Sequence, residues 1–306
     1  MPAVSPLRQY DAVAAYLALY CLLLVADVSH LGYAEPLFVL LAVGGGFSFA
    51  AWLLTRAMEP EVSTVVRPRA EAILLLAWLV VIAAFLGWGI PLLRSLGRNP
   101  LSGNGWVLLG KLVVFVAGPL ALWRWRFGTA PSRLLGLPVS LRGQWRAVLG
   151  MGLLLAGFQL VFGRASQELA DLAPSVTEVV LATVLGLVWL IVEVGLVEEF
   201  FFRAMLQERL TAWLGSAPRA IVATAALFGL AHVPGLYLRP ETTGEAVSGH
   251  TLGAAIGYGL LLTSVTGFFL GVLWQRTRNL AALALVHAVN DLVPGLADVI
   301  RLMRHA

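Results

Sequence analysis

From Val179 to Val192 the chain reads VVLATVLGLVWLIV, and from Glu193 to Arg203 it continues EVGLVEEFFFR. The first stretch carries no charge and is built of branched and aromatic apolar side chains, the composition of a helix that crosses a bilayer. The second sets three glutamates and an arginine directly behind it. A carboxylate at the centre of a membrane helix costs about 2.5–3.5 kcal/mol on insertion scales, so its presence calls for chemistry, ion handling or a polar contact.

The same apolar texture extends over the rest of the 306 residues, of which 59% are hydrophobic and 12% charged. A soluble domain carries about 25% charged residues. Nine candidate spans follow, roughly Val13–Val28, Pro36–Thr55, Ala72–Leu93, Val107–Trp123, Ala147–Gly163, Val176–Val197, Ala220–Leu238, Thr251–Gln275 and Asn279–Ile300. Their lengths favour helices, and the strand alternation of a membrane barrel is absent. The expected fold is an all-α polytopic transmembrane helix bundle of about eight or nine spans. The weakest stretch is Ala220–His232, which is short before Pro234.

Charge placement orients the chain. Arginines collect in Arg56–Glu71 and Arg124–Arg146, then at Arg203, Arg209 and Arg219 and at Arg276 and Arg278; the alternate linkers hold fewer. By the positive-inside rule the N-terminus is cytoplasmic. Nine spans put the C-terminus outside, which Arg301 and Arg304 oppose, so one span is re-entrant or miscounted. The first apolar run lacks a small-residue cleavage pattern and reads as a retained span. The preference for arginine over lysine points to a GC-rich genome, and the expected location is a bacterial inner (cytoplasmic) membrane. No basic run of the kind that tracks phosphates occurs, which argues against nucleic acid as a partner. The single cysteine, Cys21, excludes an intrachain disulfide and a zinc-type cysteine cluster.

The linker Arg124–Arg146 is the best boundary: it contains Pro131 and Pro138, and Leu134–Val139 with Trp145 can form an interfacial helix. It separates N-terminal transmembrane helices and a basic linker, 1–140, from a domain over 141–306. The four spans before it hold few polar outliers; support or substrate docking is their expected role. Gly253/Gly257 and Gly267/Gly271 fit close helix packing along the eighth span, or are ordinary small residues of a membrane helix.

The polar outliers lie after the linker. Glu199 and Arg203 are i,i+4 neighbours and can pair, while Glu198 points about 100° away. Burial disfavours an ionised carboxylate and a nearby cation favours it, which is how a general base is tuned. The same residues also suit a helix end that snorkels to the cytoplasmic surface with Glu208 and Arg209. Phe228 and His232 share one helix face, with the phenyl ring walling the imidazole; a structural hydrogen bond is the plainer use of that histidine. His287 and Asp291 share another face: Asp291 can orient the ring, both can address one substrate or metal, or they can clamp two helices. His30, His250 and His305 fall in loops or the tail. If Glu198, His232 and His287 meet, they can hold a water for amide hydrolysis or serve as a His-His-Glu zinc set.

Glu198–Glu199-x-x-x-Arg203, Phe228-x-x-x-His232 and His287-x-x-x-Asp291, in that order, resemble the three motifs of the CPBP family of intramembrane proteases. This is the CAAX prenyl protease and bacteriocin-processing family, also called Abi, which includes type II CAAX endopeptidases. The run from Gly267 into His287 is similar too, and the likeness covers roughly Gln144–Met303. The resemblance implies an intramembrane peptidase of glutamic type. In it Glu198 activates water, His232 holds that water, and His287 with Asp291 stabilises the oxyanion; Glu199, Arg203 and Phe228 support them. No cofactor is implied by the glutamate mechanism; a zinc-dependent form would use Glu198, His232 and His287. Two positions depart from the pattern. Ala204 stands where glycine is common, and Asp291 where asparagine is frequent. An ionised aspartate cannot donate to an oxyanion, so Asp291 is protonated or leaves His287 to donate alone.

The implied partners are the lipid bilayer and a membrane-held protein or peptide: a C-terminal sorting tail, a leader peptide or a lipidated tail. A proton-coupled transporter would also place Glu and His in the membrane, but no repeated halves are visible. A non-catalytic membrane scaffold or immunity protein is the third reading.

Overall fold

A computed structural model describes residues 10–29, 31–58, 65–128, 141–239 and 251–304. The expected helix over Leu134–Val139 and the loop histidines His30, His250 and His305 lie outside the described residues. Among those described there are ten helices and no strand. They are α1 (Asp11–Val25), α2 (Ala34–Leu54), α3 (Pro68–Ser95), α4 (Pro100–Phe127), α5 (Trp145–Phe162), α6 (Ala165–Leu172), α7 (Val176–Leu214), α8 (Ala217–Leu238), α9 (Leu252–Thr277) and α10 (Leu280–Arg304). Eight are long and apolar enough to cross a membrane; α1, with 15 residues, is shorter, and α6 is a brief connector. The chain is an all-α polytopic membrane bundle.

Local signals set the helix starts. Asn99 with Ser102, and Ser175 with Glu178, form reciprocal capping boxes at α4 and α7. Pro68, Pro100 and Pro218 sit in the first turn of α3, α4 and α8, where the missing N–H costs nothing. Gly128 and Gly215 close α4 and α7 at φ of 66° and 63°, which a side chain would strain.

Three expectations are corrected. The sixth span does not end at Val197: α7 continues to Leu214, 39 residues in all. Arg203 and Arg209, counted as linker charges, are buried in that continuation. Nor do Glu198–Arg209 form a snorkelling helix end, since every residue from Val197 to Leu210 is buried. The reason is solvation by protein, because carbonyls and carboxylates of neighbouring helices take the place of water around these groups. Likewise α8 does not weaken before Pro234 but runs through it to Leu238. Pro234 packs against α3 at Gly87, where an added Cβ would lie 2.8 Å from the proline ring.

Helices α8 and α9 pack side by side, and α10 lies along α5 and α7. At two crossings only glycine lets the backbones meet. A Cβ on Gly195 of α7 would stand 2.4 Å from the Ala284 carbonyl of α10. One on Gly229 of α8 would stand 2.1 Å from the Gly259 carbonyl of α9. Glu198 and His287 each follow the first crossing by one turn, and His232 follows the second by one turn. Of the glycines singled out on α9, a Cβ added at Gly257, Gly267 or Gly271 would stand 2.7–3.1 Å from a neighbouring atom, whereas one at Gly253 would stand 3.8 Å from its nearest neighbour.

Candidate active site

The acidic pair sits between two widened stretches of α7. Ile191–Leu196 and Phe200–Gln207 follow the i→i+5 pattern, with the three residues Val197–Glu199 between them. Such turns free carbonyls and re-aim side chains, and they recur at functional sites. Arg209 bonds the carbonyls of Ala204 at 2.7 Å and Met205 at 3.3 Å, pairs with Glu71 at 3.4 Å, and stacks on Trp123. Beside it Glu208 accepts from Trp274 Nε1 at 2.6 Å and pairs with Arg278 at the α9–α10 turn. These contacts anchor the inner half of α7 to α3, α4 and α9.

Glu199 is fully buried and does two things. One oxygen pairs with Arg203 Nε at 3.3 Å, i,i+4 as expected. The other lies 2.7 Å from His287 Nδ1. Arg203 donates Nη2–H to the Gly267 carbonyl at 3.2 Å and lies over the Phe228 ring, 5.2 Å from its centroid. The ring of His287 is therefore oriented by Glu199. Its Nε2 stands 3.7 Å from Asp291 Oδ2, beyond hydrogen-bond reach, while Asn290 donates to Asp291 Oδ1 at 2.9 Å.

Glu198 faces the other way, towards His232: Oε2 and Nε2 are 3.9 Å apart. The opposite nitrogen, Nδ1, lies 2.7 Å from the Phe228 carbonyl, which can only accept. Nδ1 thus carries a proton, and in the neutral form of the ring Nε2 presents a lone pair towards Glu198. Phe228 packs between the imidazoles, with centroids 4.6 Å from His232 and 6.3 Å from His287. Side-chain exposure rises from 6% at Glu198 to 26% at His232 and 34% at Asp291, so the cluster opens on that side.

Glu198, Glu199, Arg203, Phe228, His232, His287 and Asp291 are thus gathered from α7, α8 and α10. Sequence reading missed Lys111 on α4, whose ammonium is buried 2.6 Å from Glu193 and 3.6 Å from Glu198. It is the only lysine in the chain and lies inside an apolar span, the same signal that drew attention to the histidines. Among the described residues, no three His, Cys, Asp or Glu side chains converge as a metal-binding group.

Residues 179–293 match the family model described as type II CAAX prenyl endopeptidase Rce1-like. The match contains all three motifs and leaves Lys111 outside. No curated protein and no solved structure matches the chain.

Proposed function

With residues 179–293 belonging to the Rce1-like family of type II CAAX endopeptidases, and the chain an integral membrane protein, we propose that it is an intramembrane endopeptidase of glutamic type. The observation that carries the proposal is the 3.9 Å gap between Glu198 Oε2 and His232 Nε2, too long for a direct hydrogen bond and suited to a bridging water. Both atoms are acceptors. A water between them donates one O–H to each, leaving its lone pairs for a substrate carbonyl.

In the proposed reaction Glu198 takes the water proton as the oxygen bonds to the scissile carbonyl carbon. The tetrahedral oxyanion forms beside His287. As an imidazolium that ring donates Nδ1–H to Glu199 and Nε2–H to the oxyanion, and the Glu199–Arg203 pair fixes its direction. The C–N bond then breaks, and the proton on Glu198 passes to the leaving amine. An ionised Asp291 cannot donate, so we assign it to the charge balance of the imidazolium. We favour the metal-free reading because the Lys111 ammonium, at Glu198 Oε1, already balances the charge of that carboxylate, and because Glu199 takes the His287 Nδ1.

The substrates proposed are membrane-held proteins or peptides cut near a sorting tail, a leader or a lipidated terminus. The location proposed is the bacterial cytoplasmic membrane with the N-terminus cytoplasmic. Removing Arg203 and Arg209 from the linker tally lowers the arginine bias without reversing it. Peptide-terminus mass spectrometry of membranes tests the reading. Host membranes lacking the gene, complemented with the wild-type chain, are expected to show new protein termini. Glu198→Gln and His232→Ala, at equal protein level, should abolish them. Termini that persist in both variants would remove the site from the reaction. Loss of the wild-type termini with a zinc chelator, and their return with zinc, would favour a metalloprotease instead.

A further inference from the structure

We infer that Lys111, on a helix outside the family match, is a positioning residue for Glu198, supplying its counter-charge and holding Oε1 so that Oε2 is turned to His232. This deepens the hydrolytic role proposed above and rests on it. Lys111 is 6% exposed and reaches both Glu193 and Glu198 across the α4–α7 contact. Glu193 and Glu198 are five residues apart, and the widened turn at Ile191–Leu196 brings them to one face. The charged or titratable groups that act on the lysine are Glu193 and Glu198 from α7 and Asp291 from α10; those that face Glu198 besides the lysine are His232 from α8 and His287 from α10, with Glu199 and Arg203 beside it on α7. Arg203 is committed to Glu199, so the ammonium is the fixed cation that Glu198 contacts. A carboxylate deprived of its counter-ion in an apolar interior takes up a proton rather than remain charged, and a protonated Glu198 cannot accept a proton from water.

The test needs no substrate. Dicyclohexylcarbodiimide modifies protonated carboxyl groups inside membranes, and peptide mapping by mass spectrometry reports which one. In the wild-type protein at neutral pH, Glu198 is expected to resist it. In Lys111→Met, modification of Glu198 should be at least about tenfold faster, whereas Glu193→Gln, which leaves the lysine on Glu198, should stay at the wild-type rate. Where Lys111→Met fails to melt as a folded protein in detergent, Lys111→Met/Glu193→Gln removes both members of the 2.6 Å pair and should show the same rise at Glu198. Modification that rises at Glu193 alone, or an unchanged Glu198 rate in the folded double variant, would overturn the inference: the lysine would then serve only Glu193. If new termini are absent from wild-type membranes while Glu198 labelling still rises, the peptidase reading falls and the lysine contact stands.

Discussion

The two halves of α7 invert each other. From Val176 to Leu190 the helix is apolar and turned outward, with Val188 62% exposed; from Val197 to Leu210 it carries five charged residues, and Arg203 is 0% exposed. In water such a helix would be inside out. In a bilayer the outer half is solvated by lipid and the inner half by its neighbours: Lys111, His287, the Gly267 carbonyl and Trp274. Apolar character therefore marks where the molecule meets lipid, and polarity marks where it meets itself.

That contrast can be broken most forcefully at Arg203. Arg203→Met leaves Glu199 buried without its cation, and we expect a loss of about 3–5 kcal/mol in unfolding from detergent, largely restored in Arg203→Met/Glu199→Gln. A loss below about 1 kcal/mol would mean that the inner half is not organised around this pair. Next in size is the mirror experiment, a charge placed in the outer half. Leu185→Arg should cost about 2.5–3.5 kcal/mol in glycosylation-mapped insertion of α7, whereas the chain already accommodates Arg203.

A smaller effect separates the glycines of the two halves. Gly195→Ala pushes a methyl group against the Ala284 backbone and should cost about 1–3 kcal/mol, with cleavage falling further as the Glu199–His287 contact opens. Gly186→Ala meets side-chain ends rather than backbone, Leu292 at 2.8 Å and Val299 at 3.4 Å, and should cost less than Gly195→Ala in the same unfolding series. At the bottom of the scale, Val188→Ala on the lipid face should stay within about 0.5 kcal/mol. A larger loss there would show that a second protein surface covers α7.

Much of this was legible in the chain. Runs of about twenty apolar residues located the eight long helices, and the spacing of Glu199/Arg203 and Phe228/His232 placed those pairs on shared faces. Two kinds of information were not legible. Hydropathy ended α7 at Val197, because a polar residue in lipid and a polar residue in protein read alike along a sequence. Partners distant in sequence were also hidden. Lys111 is 87 residues from Glu198 and Glu199 is 88 from His287; only the glycine-permitted contact of α7 with α10 and the fit of α4 bring them together. The i,i+4 relation of His287 and Asp291 put both on one face, but it could not show that Glu199 lies 2.7 Å from His287 Nδ1 while Asp291 stands 3.7 Å from Nε2.

The order in which these groups occur along the polypeptide matters for biogenesis. A ribosome delivers α4 before α7, and α7 before α8 and α10. When Glu198 reaches the lipid its lysine is already there, and Glu199 brings its own arginine four residues behind it. Both acids are thus made with their counter-ions in the same helix or an earlier one, and the imidazoles, with Asp291 and the Gly267 carbonyl, join later as the last helices dock.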